Sequence, residues 1–87
     1  MIHEREIRTA ARLYEARDTA RALLGDKYAG RMAEGGKLLS SLANNGGESI
    51  IAAAARMAEV CESDGRPFAA VAILAAAAEL LDPSGSA

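Results

Sequence analysis

The stretch FAAVAILAAAAELL, from Phe68 to Leu81, decides the architecture. Glu79 is its one charged residue, and seven of its positions are alanine. Asp64-Gly65-Arg66-Pro67 precedes it, with glycine placed to end one helix and proline to open the next. Asp82-Pro83 stops it, because the residue before proline resists the α conformation. A bilayer crossing needs roughly 18–20 apolar residues, more than this run supplies. The pattern therefore predicts a helix from Pro67 to Leu81 that is apolar on nearly every side and must be covered by other helices or by a second chain. Val71, Ile73, Leu74, Leu80 and Leu81 are expected to be largely buried, either at the centre of a bundle or across a homodimer seam formed by this last helix.

Three amphipathic segments stand upstream to cover it. The first runs from about Glu4 to Leu24 without Gly or Pro and is rich in good helix formers. Ile7, Ala10, Ala11 and Tyr14 line one face; Leu13, Ala16, Ala20, Leu23 and Leu24 mark a partly different one, so the apolar stripe drifts as it does when different neighbours cover the two ends. Gly25 suits a helix end and Asp26 can cap the next start, which predicts an antiparallel hairpin with the second helix, about Lys27 to Asn44. There Tyr28, Met32, Leu39 and Leu42 fall on one arc. Gly35 lies in that arc, and with Gly36 it permits either close approach of a neighbour or a kink; the sequence leaves both open. Asn44-Asn45-Gly46-Gly47 reads as a turn, and Asn45 with Glu48 has the spacing of a capping box. The third helix covers about Glu48 to Ser63, with Ile50, Ile51, Ala54, Met57, Ala58 and Cys61 as its apolar side.

The expected fold is thus all-α, a compact bundle of four helices with short connecting turns. Residues 1–82 form one domain and residues 83–87 a disordered tail. A chain of 87 residues buries only about 60–65% of its unfolded surface, and 21 of its residues are alanine, so close helix–helix approach must supply its stability. A single cysteine, Cys61, allows no internal disulfide and fits a reducing cytoplasm. No basic stretch followed by an apolar run marks a signal peptide, and the expected localisation is cytoplasmic.

The residues offer no catalytic constellation. His3 is the only histidine and lies in a terminal segment; one His and one Cys cannot make a zinc site, and no calcium loop or phosphate-binding Gly-Lys-Ser/Thr motif is present. Gly46-Gly47 precedes a helix, whose N-terminus attracts anions, but a flexible connector is the simpler reading. The expectation is a non-enzymatic protein with no cofactor and no metal.

Charge is unevenly placed. Residues 1–37 carry +2 and residues 38–87 carry −4, for a net charge of −2. Arg5, Arg8 and Arg12 share one side of the first helix, followed by Arg17 and Arg21. A basic helix can contact phosphates, and a small nucleic-acid-binding module using this helix is the alternative function. Interleaved Glu4, Glu6, Glu15 and Asp18, together with the scarcity of aromatics, favour a solvated, salt-linked face instead. A helix-turn-helix built on the last two helices fails, because the second offers no base-reading side chain before Glu79. The acidic residues of the second half can dock on a basic protein. The expected role is protein–protein interaction, with contacts at Arg5, Arg8, Arg12, Glu15 and Thr19 on the first helix and at Glu59, Glu62 and Asp64 on an acidic edge.

The segment from Arg8 to Arg21 (RTAARLYEARDTAR), continuing through Leu23-Leu24-Gly25 to Tyr28, resembles the opening of short helical proteins carried by bacterial phages and prophages. The resemblance covers about a third of the chain. Some proteins of that kind are anti-CRISPR inhibitors, so it implies a partner in a host defence complex, such as a Cas protein. It carries over no binding residues.

Overall fold

The computed structural model describes the backbone of residues 4–83 and the side chains of residues 7–83. These residues are 90% helical and contain no strand. Helix α1 spans Glu4–Leu24, a 3-10 turn spans Gly25–Lys27, and helices α2, α3 and α4 span Tyr28–Gly46, Ile50–Ser63 and Pro67–Leu81. The expected turn between the first two helices is absent as a non-helical connection: helical backbone continues from Glu4 to Gly46 through the 3-10 turn. Three helical stretches, not four, are therefore separated by non-helical residues. His3 and the tail beyond Pro83 lie outside the described residues.

The first stretch nevertheless bends. A straight helix from Glu4 to Gly46 would be about 64 Å long at 1.5 Å per residue. The longest dimension of the molecule is 36 Å. Gly25 makes the bend with φ +53°, a left-handed conformation that an L side chain resists. The expected antiparallel hairpin does not form, because α1 and α2 scarcely touch and both pack on α4 instead. Asp26 is no cap, since the start of α2 carries no side-chain capping hydrogen bond.

The other two connections each contain a left-handed glycine, Gly47 and Gly65; the α3–α4 bounds at Ser63 and Pro67 fall where expected, whereas the α2–α3 bounds shift. Helix α2 runs two residues past Asn44 and closes at Gly47, where Glu48 N–H donates to the Ala43 carbonyl at 2.9 Å. Helix α3 closes the same way: Arg66 N–H donates to the Cys61 carbonyl at 2.8 Å and Gly65 N–H to Glu62 at 3.1 Å. This pairing satisfies carbonyls that a helix end would otherwise leave free. The N-cap of α3 is Ser49, whose Oγ accepts from Ala52 N–H at 3.0 Å, so the Asn45–Glu48 capping box is not used.

Helix α4 lies at the centre, packed on α1, α2 and α3. Ala70, Leu74, Ala75, Ala76, Ala77 and Ala78 are buried. The expectation of five buried aliphatic residues on this helix is met in full only by Leu74: Val71 and Ile73 are half-buried, while Leu80 and Leu81 are 40% and 49% exposed. Helix α1 presents Leu13, Ala16 and Ala20 to the core, whereas Ile7, Tyr14 and Leu23 face solvent. Phe68, at the start of α4, is 41% exposed.

Small side chains take most of the central positions, where the helices approach too closely for large ones. Helix α2 is continuous through Gly35-Gly36, so close approach, not a kink, explains the pair. A Cβ on Gly35 would sit 2.9 Å from Cβ of Ala76, inside any real contact distance. Around Gly30 the same added carbon would meet nothing. Urea unfolding should therefore separate two identical changes on one helix. Gly30→Ala should stabilise by about 0.5–1 kcal/mol through helix propensity. Gly35→Ala should destabilise by about 1–3 kcal/mol through overpacking. Equal stabilisation by both would refute the α2–α4 contact.

Candidate interaction surfaces

The described residues singled out from sequence fall into three places. Arg8 and Arg12 on α1 meet Glu59 and Glu62 on α3 across a cavity of about 240 Å³, floored by Thr9, Ala55 and Ala58. Arg12 Nη2 stands 3.6 Å from Glu62 Oε2, with both side chains about half exposed. An ion pair so wet contributes about 0.2–1 kcal/mol. The basic face and the acidic edge, expected as separate contact surfaces, thus form one seam that largely neutralises itself. Arg12 also borders a smaller cleft with Glu15 and Thr19 beside Val71 and Leu74. Thr19 Oγ1 donates to the Glu15 carbonyl within the helix. Asp64 lies away from this seam, on the groove described below. The side chain of Arg5 lies outside the described residues.

A second cluster joins α1, α2 and α4 beside the Gly25 bend. Tyr28 Oη donates to Glu79 Oε2, and Arg21 Nη2 is 3.4 Å from the same oxygen. The Arg21 guanidinium also lies 5.3 Å from the centre of the Tyr28 ring, within cation–π range. Next to it Arg17 Nη1 donates to the Asp82 carbonyl at 2.7 Å and covers the Tyr14 ring at 4.9 Å. Asp82 is the C-cap of α4, where a cation complements the exposed carbonyls of the helix end. Arg17 and Arg21 are therefore engaged in the fold, which weakens the reading of α1 as a phosphate-binding helix.

This cluster lines a cleft of about 430 Å³ with Met32, Ala76 and Leu80. Burial, followed by the hydrogen bond to Glu79 and that carboxylate's charge, pushes the Tyr28 pKa up to about 12. The phenol keeps its proton at neutral pH and is held by the carboxylate. The hydrogen bond clasps α2 to α4.

The third surface was not legible as a site. Leu38 on α2, Val60 on α3 and Phe68 on α4 are 48%, 48% and 41% exposed. They share a groove of about 350 Å³ whose walls include Met57 and Ile73. Cys61, a free thiol of the core as expected, forms part of its floor. Arg31, Asp64 and Arg66 border the groove with charge. Leu38 and Val60 each stand one residue before a core residue, Leu39 and Cys61, and so lie about 100° off the buried arc. Apolar residues flanking an arc were the available signal.

The turn after α2 shows no built anion site. Glu48 there pairs with Arg56, and Ser49 caps the helix. Among the described residues no three His, Cys, Asp or Glu side chains gather as metal ligands would, and no helix is long and apolar enough to cross a membrane. No protein-family model, curated protein or solved structure matches the chain.

The Tyr28 clasp carries a pH dependence with a defined sign. The pKa rises from 10.0 to about 12 on folding, so the folded state favours the protonated phenol. That stabilisation is complete below pH 10 and is lost as pH climbs through 12. The midpoint of urea unfolding should fall across this window for the native chain. In Tyr28→Phe, which has no phenolic proton to lose, it should fall less; identical slopes would exclude the clasp.

Proposed function

We propose that the protein is a non-enzymatic protein-binding module whose partner seats in the groove of Leu38, Val60 and Phe68. One observation carries this reading. Among the described residues, eight large apolar side chains are at least 40% exposed, while the buried apolar residues larger than cysteine are Leu13, Met32, Leu39 and Leu74. Isolated exposed leucines are ordinary, but three large side chains in one groove bordered by charge have the make-up of an interface. The occupant is taken to be an amphipathic helix of the partner, with apolar residues at i, i+3 and i+4 for the groove and charges for its Arg31, Asp64 and Arg66 border.

The phage-like opening of α1 supports a host defence complex, such as a Cas protein, as that partner. The Arg8–Glu62 seam is assigned the secondary role of a polar rim. The groove is preferred over it because buried apolar anchors carry most binding energy, whereas exposed ion pairs contribute little.

The test is a phage plaquing assay in bacteria whose CRISPR–Cas system targets the phage, run with a panel of Cas effector types. The wild-type chain should restore plaquing against at least one type and co-purify with its effector. Val60→Asp and Phe68→Asp should abolish both while leaving the helical circular dichroism intact, and Phe68→Ala should weaken effector binding at least about tenfold. No restoration against any type would remove the defence-inhibitor reading. Full activity of folded Val60→Asp and Phe68→Asp would remove the groove.

A further inference from the structure

The bend at Gly25 has properties that a rigid connection would not need. Leu24, Lys27 and Tyr28 on either side are all right-handed helical, so the reversal rests on the left-handed Gly25, with φ +53°. A Cβ built on Gly25 would meet nothing within 4 Å, as at Gly47 and Gly65, but Gly25 alone of the three joins helical segments with no non-helical residue between them. If Gly25 takes helical dihedrals instead, Glu4 to Gly46 becomes one uninterrupted helix, and α1 swings away from the domain.

What α1 would leave behind is a surface that only α1 fits. Its Leu13, Ala16 and Ala20 are buried in the shared core. Its Arg17 holds the C-cap carbonyl of α4, its Arg21 holds Glu79, and its Arg12 pairs with Glu62 of α3. Helix α1 has little contact with α2, the helix it is joined to; the stack of Arg21 on Tyr28 is one side-chain contact between them. Nearly everything that holds α1 can therefore be supplied equally well by α3 and α4 of another molecule.

The geometry points to exchange of α1 between two copies of this chain: Gly25 is a hinge, and straightening it lets α1 of each copy occupy the face of α4 vacated in the other. Each contact is re-formed between chains with the same residues, so the partner is a second copy and no new surface is required. Exchange of an identical element across a hinge is a low-cost route to a dimer. The exchange is independent of the groove between α2, α3 and α4, which stays open in both forms.

The experiment compares Gly25→Ala with Gly25→Asn by light scattering coupled to size exclusion. Alanine opposes the left-handed bend and favours the straight helix, whereas asparagine tolerates the bend. Gly25→Ala should be a dimer and Gly25→Asn a monomer. In a half-labelled Gly25→Ala sample, nuclear Overhauser contacts between the Ala16 methyl and Leu74, which line one cleft, should be intermolecular. A folded monomeric Gly25→Ala, or a dimer whose Ala16–Leu74 contacts remain within one chain, would overturn the proposal. Should Gly25→Ala fail to fold, the native chain refolded from urea at roughly 1 mM, where mass action favours association, gives the second reading. A dimer fraction carrying the same intermolecular contacts supports exchange, and its absence overturns it.

Discussion

Three helices can lie against a fourth at once only if the fourth is thin. Helix α4 meets that condition with fully buried alanines at positions 75, 76 and 77. Its neighbours reciprocate: Gly35 on α2, Ala16 and Ala20 on α1, and Ala53, Ala54 and Ala58 on α3. Each such residue removes little apolar surface from water, so the core gains by proximity, through many short-range contacts, more than by the size of any one side chain. The Gly35–Ala76 contact is the tightest expression of this constraint, because neither residue has a flexible end that could move aside.

The constraint also sorts the remaining apolar residues. A core built on close approach has room for few large side chains: Leu13, Met32, Leu39 and Leu74 enter it, while Ile7, Tyr14, Leu23, Leu38, Val60, Phe68, Leu80 and Leu81 lie toward solvent. A domain of this size would ordinarily use such residues to stabilise itself. Here they lie on surfaces, and Leu38, Val60 and Phe68 converge from three helices onto one groove. The interaction function proposed for that groove follows from the same cause as the fold: an interior of alanine leaves the larger side chains free to contact something else. Polar groups do complementary work at the other end, where Arg17, Arg21, Tyr28 and Glu79 tie α1 and α2 to the end of α4 despite the scarcity of direct contact between those two helices.

Much of this was legible where glycine and proline punctuate the chain. The bounds of α1 and α4 follow directly from Gly25, Pro67 and Pro83. The α2–α3 boundary shifted because Gly47, not the Asn-Asn pair, adopts the left-handed end, and because the Ser49 hydroxyl supplies the cap. Periodicity marked two stripes on α1 and expected neighbours to cover both; the core takes Leu13, Ala16 and Ala20, while Ile7 and Tyr14 of one stripe and Leu23 of the other stay exposed. Burial of Leu80 and Leu81 was overestimated for a related reason, since apolarity all round a helix does not ensure neighbours all along it. The meeting of Arg12 with Glu62 and the convergence on the groove depend on tertiary packing between distant segments, and no local pattern encodes either.

The central claim, that close approach to a thin α4 leaves no room for larger side chains at its alanine positions, is tested most directly by urea unfolding of Ala75→Leu beside Leu23→Ala. Ala75 is fully buried and Leu23 is 65% exposed. Enlarging Ala75 should cost about 1–3 kcal/mol by overpacking. Truncating Leu23 should change stability by no more than about 0.5 kcal/mol, as at an exposed site. A gain in stability from Ala75→Leu, with a large loss from Leu23→Ala, would contradict the account, because the larger side chain would then be filling space that the close approach of the helices is held to exclude.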